Sequence, residues 1–477
     1  MFRSDIPVST AVPWWRELSR EQWFIFMMAS LAWVFDCLDQ QLFIIARNPA
    51  IADLLPAGTS PDVIKQSGGY TTAIFVAGWA TGGLVFGALG DRIGRARALT
   101  FTVLLYSVFT GLSTFSTSVY DFNVYRFITG LGVGGVFGLA VALIADSLPD
   151  RARPHALGLV QSFVAVGNVG AGLIAIFVGW TQVLTVQAGG KPAGDYWKYL
   201  FLVGALPAFL CVLLQLRLRE PEKWVKARAE GRQTGARFGS YVSLFGQARW
   251  RKSALLGMLL CTAGVVGLWG VGFFSPELVG DVIDRVLRAR NVPAGELPGR
   301  RLMWTGINIG MQNVGGILGI TLFTRLAQRY GRKPVFAWTF LGAFLSTLIT
   351  FRYLRSPGHI FVLIPIMGCF QFALFAGFAI YLPELFPLRL RSTGVSFCYN
   401  VGRFIAASGP FTLGLLQAHL AAGAVTAEAK VEAFRVACGW VSLVFLLGLV
   451  PIYFLPETKG LPLPEDEFLS PAKNSPP

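Results

Sequence analysis

The pentapeptide DRIGR at Asp91–Arg95 returns as QRYGR at Gln328–Arg332, an offset of 237 positions from 91 to 328. A second pair keeps nearly the same spacing. DSLPDRAR, Asp146–Arg153, returns as ELFPLRLR, Glu384–Arg391, 238 positions on from 146 to 384. Two matches at nearly one spacing mark an internal duplication. Each basic pentapeptide stands between two apolar runs, so the repeated unit is read from those runs.

Of the 477 residues 54% are hydrophobic and only 14% charged, 54 are glycine, and the mean hydropathy is +0.56. That balance belongs to a polytopic membrane protein rather than to a soluble or disordered chain. A window of about 20 residues, the length that crosses ~30 Å of hydrocarbon, places twelve spans near 22–46, 67–89, 97–117, 122–145, 155–181, 197–216, 251–275, 302–324, 335–353, 359–383, 393–417 and 434–455. The one long internal polar stretch, Arg217–Lys252, divides them six and six. The expected organisation is an N-terminal segment 1–21, a six-helix bundle 22–217, a linker 218–250, a second bundle 251–455 and a tail 456–477. An all-α membrane protein built as two pseudo-symmetric six-helix bundles is the form expected of an alternating-access transporter.

The net charge of +15 does not point to nucleic acid, because Lys and Arg sit in short clusters between apolar runs. If the N-terminus is cytoplasmic, inside segments hold about 26 of the 41 basic residues and outside segments about 12. Both termini are therefore expected inside a cell membrane that the chain crosses many times. The loop 276–301 departs from that rule, with Arg285, Arg288, Arg290, Arg300 and Arg301 on the outside. The first residues are polar and mixed, with no cleavable signal, and Trp14, Trp15 and Trp23 suit interfacial anchors. Five of six cysteines lie in apolar runs and the sixth, Cys398, in another that contains Arg403, so buried free thiols are expected and no metal site. Three histidines near helix ends, with no nucleophile–base spacing, give no support to an enzyme. No cofactor is expected; the partners are lipid, protons and a small substrate, and the expected state is a monomer.

The first span carries WVFDCLDQQLF, Trp33–Phe43, with Asp36 and Asp39 in its middle. Each carboxylate costs about 2.5–3.5 kcal/mol at a membrane helix centre even on lenient scales. Three apart, they share a helix face. Asp36 lies ~21 Å up a ~30 Å span counted from residue 22, and Arg126 enters from outside to nearly the same depth. Two carboxylates and one guanidinium leave a surplus negative charge there, which suits a proton site. Asp39, ~4 Å nearer the outer surface, is expected to be the better solvated. The corresponding positions of the second half are Phe273, Pro276 and Leu363. Structural glue would have duplicated with the fold, so a coupling role is favoured over a purely structural ion pair.

At the basic pentapeptides, Asp91 with Arg92 and Arg95 can reach Asp146, and Arg151 lies in the same segment. Arg329, Arg332, Glu384, Arg389 and Arg391 repeat the arrangement, with Gln328 in place of the acid. Such a network suits a gate that latches the cytoplasmic side and releases on rocking. Charges that only set topology would also pair there. Glycines in span two (Gly78, Gly82, Gly83, Gly87) and span four (Gly130, Gly132, Gly134, Gly135, Gly138) let backbones approach, either as a sliding seam or as ordinary tight packing.

In the second half Arg403, in CYNVGRFIAASGP, lies ~16 Å into the membrane counted from Ser392, with no acid of its own half at that level. An anionic substrate would supply its partner. Tyr399 and Asn400 share its face, and Gln371, Phe375, Gln312, Asn313 and Gln161 add amides and rings at comparable positions on other spans. That lining suits a small, partly apolar acid, although for any single one of these residues helix–helix packing explains its presence as well.

GALGDRIGRARAL, Gly87–Leu99, resembles the loop signature between helices two and three of the major facilitator superfamily. RFITGLGVGG from Arg126, REPEKW at Arg219–Trp224, YLPELFPLRLRSTG from Tyr381 and PETKG at Pro456–Gly460 are similar to the signatures of its sugar-porter and organic-acid symporter branches. The resemblance implies a secondary transporter working by alternating access. Sugar porters carry a glutamine pair in helix seven, whereas GMLLCTAGVVGLWGVGFF, Gly257–Phe274, has neither Gln nor Asn. The DCLDQ run resembles instead the Asp-x-x-Asp of aromatic-acid and lactate or sialate symporters. The expected function is proton-coupled symport of a small organic anion. The alternatives are a proton-coupled sugar transporter and, in another class, a membrane sensor that no longer transports.

Overall fold

The computed structural model describes residues 13–190, 195–215, 217–234, 237–407, 409–420 and 426–465. Most of segment 1–21 and half of the tail 456–477 lie outside the described residues. The first bundle comprises α1 (Arg20–Leu54), α2 (Pro61–Ile93), α3 (Arg95–Ser113), α4 (Val119–Ser147), α5 (Arg153–Gln187) and α6 (Tyr196–Gln215). Two linker helices follow, α7 (Glu222–Thr234) and α8 (Tyr241–Gly246). The second bundle holds α9 (Ala248–Gly270), α10 (Ser275–Ala289), α11 (Leu297–Tyr330), α12 (Arg332–Tyr353), α13 (Pro357–Glu384), α14 (Arg391–Ala407) and α15 (Gly409–Leu420). Its last span is α16 (Ala427–Ser442), α17 (Val444–Leu447) and α18 (Leu449–Phe454).

Among the described residues nine helical stretches are long and apolar enough to cross a membrane. The other three spans are α6, α11 and the pair α14–α15; Asn308, Gln312 and Asn313 make α11 more polar, and Asn400 and Arg403 do so for α14. The twelve-span, two-bundle architecture follows.

Local chemistry fixes the ends. Ser19 and Gln22 form a reciprocal capping box at the start of α1, and Ser60, Ser118 and Thr426 cap α2, α4 and α16 through their hydroxyls. The duplication recurs in the turns. Gly94 has φ 117° and Gly331 φ 99°, values L side chains rarely adopt, so both DRIGR-type turns need glycine. Beside each, a carboxylate binds the open first turn of the next helix. Glu220 accepts from the backbone N–H of Ala96 and Arg97, and Glu457 from those of Arg332 and Lys333. Packing repeats too. A Cβ on Gly82 would lie 1.9 Å from the Leu131 carbonyl oxygen, and one on Gly319 1.8 Å from that of Cys369. Each half thus presses its second helix onto the backbone of its fourth.

Two segments read as loop are helical. The outside loop 276–301 begins as α10, whose Leu278, Val279, Val282, Ile283 and Leu287 bury one face and leave Arg285 and Arg288 on the other. The linker folds as α7 and α8, which place Trp224 and Leu244 in buried positions.

Candidate substrate, proton and gate site

Asp36, Asp39 and Arg126 are all fully buried. Arg126 turns to Asp39, with Nη1 3.8 Å from Oδ2, and donates through Nε and Nη2 to Ser113 Oγ at 3.1 and 2.9 Å. Thr110 Oγ1 donates to Asp39 Oδ1 at 2.9 Å, and the Arg126 guanidinium carbon lies 4.6 Å from the Phe201 ring centroid. The expectation that Asp39 is the better solvated is overturned, because the α3, α4 and α6 side chains close over it as completely as over Asp36.

Asp36 is outside this cluster. Its Oδ2 accepts from Gln40 Nε2 at 2.9 Å, and its Oδ1 is buried without a hydrogen-bond partner among the described residues. The opposite charge it feels most is Arg403, across the bundle boundary. The sequence places no acid of the second half at the level of Arg403, and the structure supplies one from the first half. Arg403 therefore has an acid of the first half acting on its charge before any substrate arrives.

Arg403 is held by rings. Its guanidinium carbon sits 3.5 Å from the Trp79 centroid and 4.4 Å from that of Tyr399. Its Nη1 donates to Asn400 Oδ1 at 3.4 Å, and its Nε is buried without a hydrogen-bond partner among the described residues. Tyr399 stacks on Phe137 at 3.8 Å, Phe375 meets Tyr399 edge-on at 6.0 Å, and Phe137 lies 5.3 Å from Trp33, one turn before Asp36. Trp269 meets Trp79 edge-on at 5.1 Å. A continuous aromatic wall therefore runs from Asp36 to Arg403. Trp33, Trp79, Phe137 and Trp269 are absent from the sequence-based lining; only Trp33 was signalled, by its place one turn from Asp36.

The expected amides divide. Gln312 Nε2 donates to Gln371 Oε1 at 3.3 Å, and Gln371 Nε2 to Thr347 Oγ1 at 2.9 Å, so these two are joined to each other within the second bundle. Asn313 accepts from Asn168 Nδ2 at 3.0 Å across the α5–α11 seam. Gln161 is buried with Nε2 unpartnered among the described residues.

At the face carrying the linker, Asp91 accepts from Thr393 N and Oγ1 at 2.8 and 2.7 Å and from Ser392 N at 3.3 Å. Arg95 lies 3.0 Å from both Asp91 and Asp146 and donates to the Leu388 carbonyl at 2.7 Å. Asp146 also pairs with Arg391, so one carboxylate stands between arginines of opposite bundles. In the second half Arg332 pairs with Glu384 at 2.7 Å and Thr458 Oγ1 donates to Glu384 at 2.5 Å. At the position equivalent to Asp91, Gln328 contacts His155 Nδ1 at 3.2 Å.

Arg92, Arg151 and Arg329 stand outside this network, and Arg389 is placed here by its backbone alone. Arg92 donates to the linker carbonyl of Gly239, and Arg151 pairs at the surface with Glu17. Arg329 lies over Tyr330, and Arg389 meets Gly239 through its backbone carbonyl. Register decides this: Arg95 and Arg391 begin helices with buried side chains, whereas Arg92 and Arg329 are exposed at helix ends and Arg151 in the turn between α4 and α5.

Duplicated six-helix bundles with charges buried at their boundary define a multi-pass membrane protein. The profile of the Major Facilitator Superfamily matches residues 23–284, more than half of the chain, and that of "Sugar (and other) transporter" matches residues 298–467. The chain belongs to the major facilitator superfamily. It is 29% identical over 396 residues to the cis,cis-muconate transport protein of Acinetobacter baylyi, covering 82% of this chain and 86% of that one. It is 26% identical over 453 residues to a protein of Cupriavidus pinatubonensis named "Probable 4-methylmuconolactone transporter", covering 94% of each. Among solved structures it is similar to the proton:xylose symporter XylE, with a TM-score of 0.69 and 19% identity over 93% of this chain and 97% of that one; this likeness concerns the fold.

Proposed function

We propose that the protein carries a small organic anion into the cell together with a proton, by alternating access, with both termini and the linker on the cytoplasmic side. The observation that carries this reading is the Arg403 guanidinium, held between Trp79 and Tyr399 with Nε unpartnered among the described residues and no direct ion pair to the Asp36 carboxylate that acts on its charge. Rings that sandwich a guanidinium leave its edge open for a carboxylate, and the same wall offers faces to an unsaturated or aromatic body. The muconate and muconolactone relatives support an acid of that kind. A substrate carboxylate arriving at Arg403 takes the place of Asp36 as counter-charge, and Asp36, left without its cation, takes up the proton.

Asp39 and Arg126 hold α1, α3 and α4 together on the outer side of this pair. Asp91, Arg95, Asp146 and Arg391 form the cytoplasmic gate, with Arg332 and Glu384 bracing the second half. The sugar reading rests on the profile matched by residues 298–467. Against it, α9 carries neither Gln nor Asn facing the centre.

The test is binding and uptake by the purified chain in right-side-out vesicles, with muconate, benzoate, short hydroxy-acids and hexoses offered in turn. An acid should be taken up and should raise thermal stability by mass action. Arg403→Lys should weaken its binding about tenfold or more, because lysine cannot present a planar fork or stack between two rings. Unchanged affinity in that variant, or uptake of hexose alone, overturns the assignment.

A further inference from the structure

A second basic site lies where α2 and α3 meet the linker helix α7. A cavity of about 480 Å³ is lined there by Arg92, Arg97 and Arg228, by Trp224, and by Ile93 and Val225. None of its described lining residues carries a carboxylate, and none of the three arginines makes an ion pair with a described residue. Arg92 is steadied through Nε on the Gly239 carbonyl, and Arg228 lies 5.2 Å over the Phe238 ring. The acids that flank these arginines in sequence, Asp91, Glu222 and Glu230, are not among the lining residues; Asp91 is turned to Thr393 and Arg95, and Glu220 is occupied with the backbone N–H groups of Ala96 and Arg97. Three cations are thus gathered on one hollow with no internal anion.

The surroundings say which anion fits. Ile93 and Val225 are exposed apolar side chains on the rim. From Arg97 an exposed stripe continues along α3 through Phe101, Leu104, Val108 and Leu112, at helical spacing on the face turned to lipid. The arginines therefore stand at headgroup level above a surface that acyl chains cover.

We propose that this cavity seats the phosphate of an anionic phospholipid, with its chains lying along the Phe101–Leu112 stripe of α3. The site does not depend on which substrate the transporter carries. It touches the gate from behind: Trp224 donates through Nε1 to the Asp91 carbonyl at 3.2 Å, and the Arg95 guanidinium carbon lies 6.0 Å from the Trp224 ring. A lipid held by Arg92, Arg97 and Arg228 pins α7 against the Asp91 turn and so favours the latched arrangement.

The experiment uses the full chain in an uncharged detergent, titrated with phosphatidylglycerol, phosphatidylcholine or inorganic phosphate while the unfolding midpoint is followed. Phosphatidylglycerol should raise the midpoint saturably, and the other two should not. In Arg97→Gln/Arg228→Gln, which leaves the gate contacts in place, the half-saturating phosphatidylglycerol should rise about tenfold or more, consistent with the loss of two headgroup cations. The single variants, which disturb folding less, should each show part of that rise. An equal response to phosphatidylcholine shows a generic lipid effect, and an equal response to inorganic phosphate shows a free-anion site. Either result, or an undiminished phosphatidylglycerol response in the variants, overturns the proposal.

Discussion

Asp36 and Asp39 share a face of α1, yet their surroundings differ. Asp39 receives Thr110 and faces Arg126, whereas Asp36 has Gln40 on one oxygen and, among the described residues, no hydrogen-bond partner on the other. Removing one partner of a buried pair strands the other charge and costs about 3–5 kcal/mol. Asp39→Asn should therefore lower the unfolding midpoint, because Arg126 keeps only Ser113 and the rings. Asp36→Asn should lower the midpoint less, because Asp36 makes no direct ion pair with Arg403, while abolishing accumulation driven by a pH gradient and preserving counterflow exchange, which needs no deprotonation. Both quantities can be measured on one preparation of each variant. Accumulation surviving in Asp36→Asn would show that the proton travels by another route. The two acids were legible in the sequence because a carboxylate in an apolar span is conspicuous. Which of them Arg126 would choose was not, since depth along a helix leaves the rotation and the partner helix undetermined.

At the scale of elements, the duplication was the most legible feature, since glycine turns, capping glutamates and close-packed glycines recur about 237 positions apart. The gate was half legible. The sequence indicated that Arg95 could reach Asp146, but not that Arg391 would meet the same carboxylate across the bundle boundary; that contact depends on how the halves dock. The helical character of 275–289 went unread because its charges drew attention ahead of its apolar spacing. Asp146 standing between two arginines implies a direct consequence. Asp146→Lys replaces an attraction with a repulsion among three cations and should open the linker face. In a chain with Ser396→Cys as its only cysteine, a position packed against Gly87 and Gly138 of the first bundle, maleimide labelling should accelerate several-fold; an unchanged rate favours charges that serve topology alone. Glu457 makes a pH prediction. Burial pushes its carboxyl up, but hydrogen bonds from the N–H groups of Arg332, Lys333, Lys459 and Thr458 outweigh this and hold it below its usual range. A depressed carboxyl contributes stability above its unfolded value, roughly 4.3, and loses it as pH falls through the lower folded value. The midpoint difference between wild type and Glu457→Gln should be constant from pH 7 to about pH 5 and shrink on further acidification. A difference independent of pH would assign the effect to shape alone.

For the whole molecule, the decisive question is how much charge crosses in one cycle. The centre offers one cation, Arg403, and one acid without a fixed arginine partner, Asp36, while Asp39 and Arg126 remain paired. With the substrate anion on Arg403 and a proton on Asp36, the loaded centre carries the same net charge as the empty one, in which Asp36 faces Arg403. A monoanion then enters with one proton, and the cycle is electroneutral. Each pH unit supplies about 1.36 kcal/mol to accumulation. The membrane potential, worth about 2.3 kcal/mol per charge per 100 mV, supplies nothing. Vesicles loaded at one pH and diluted into another should concentrate a monocarboxylate about tenfold per pH unit. A potassium diffusion potential imposed at equal pH should produce no accumulation. A dicarboxylate carried as a dianion with the same single proton would move one negative charge, so its uptake should be opposed by an inside-negative potential. Monocarboxylate uptake driven by the potential at equal pH would require a second proton, and Asp39 would then have to release Arg126 during the cycle.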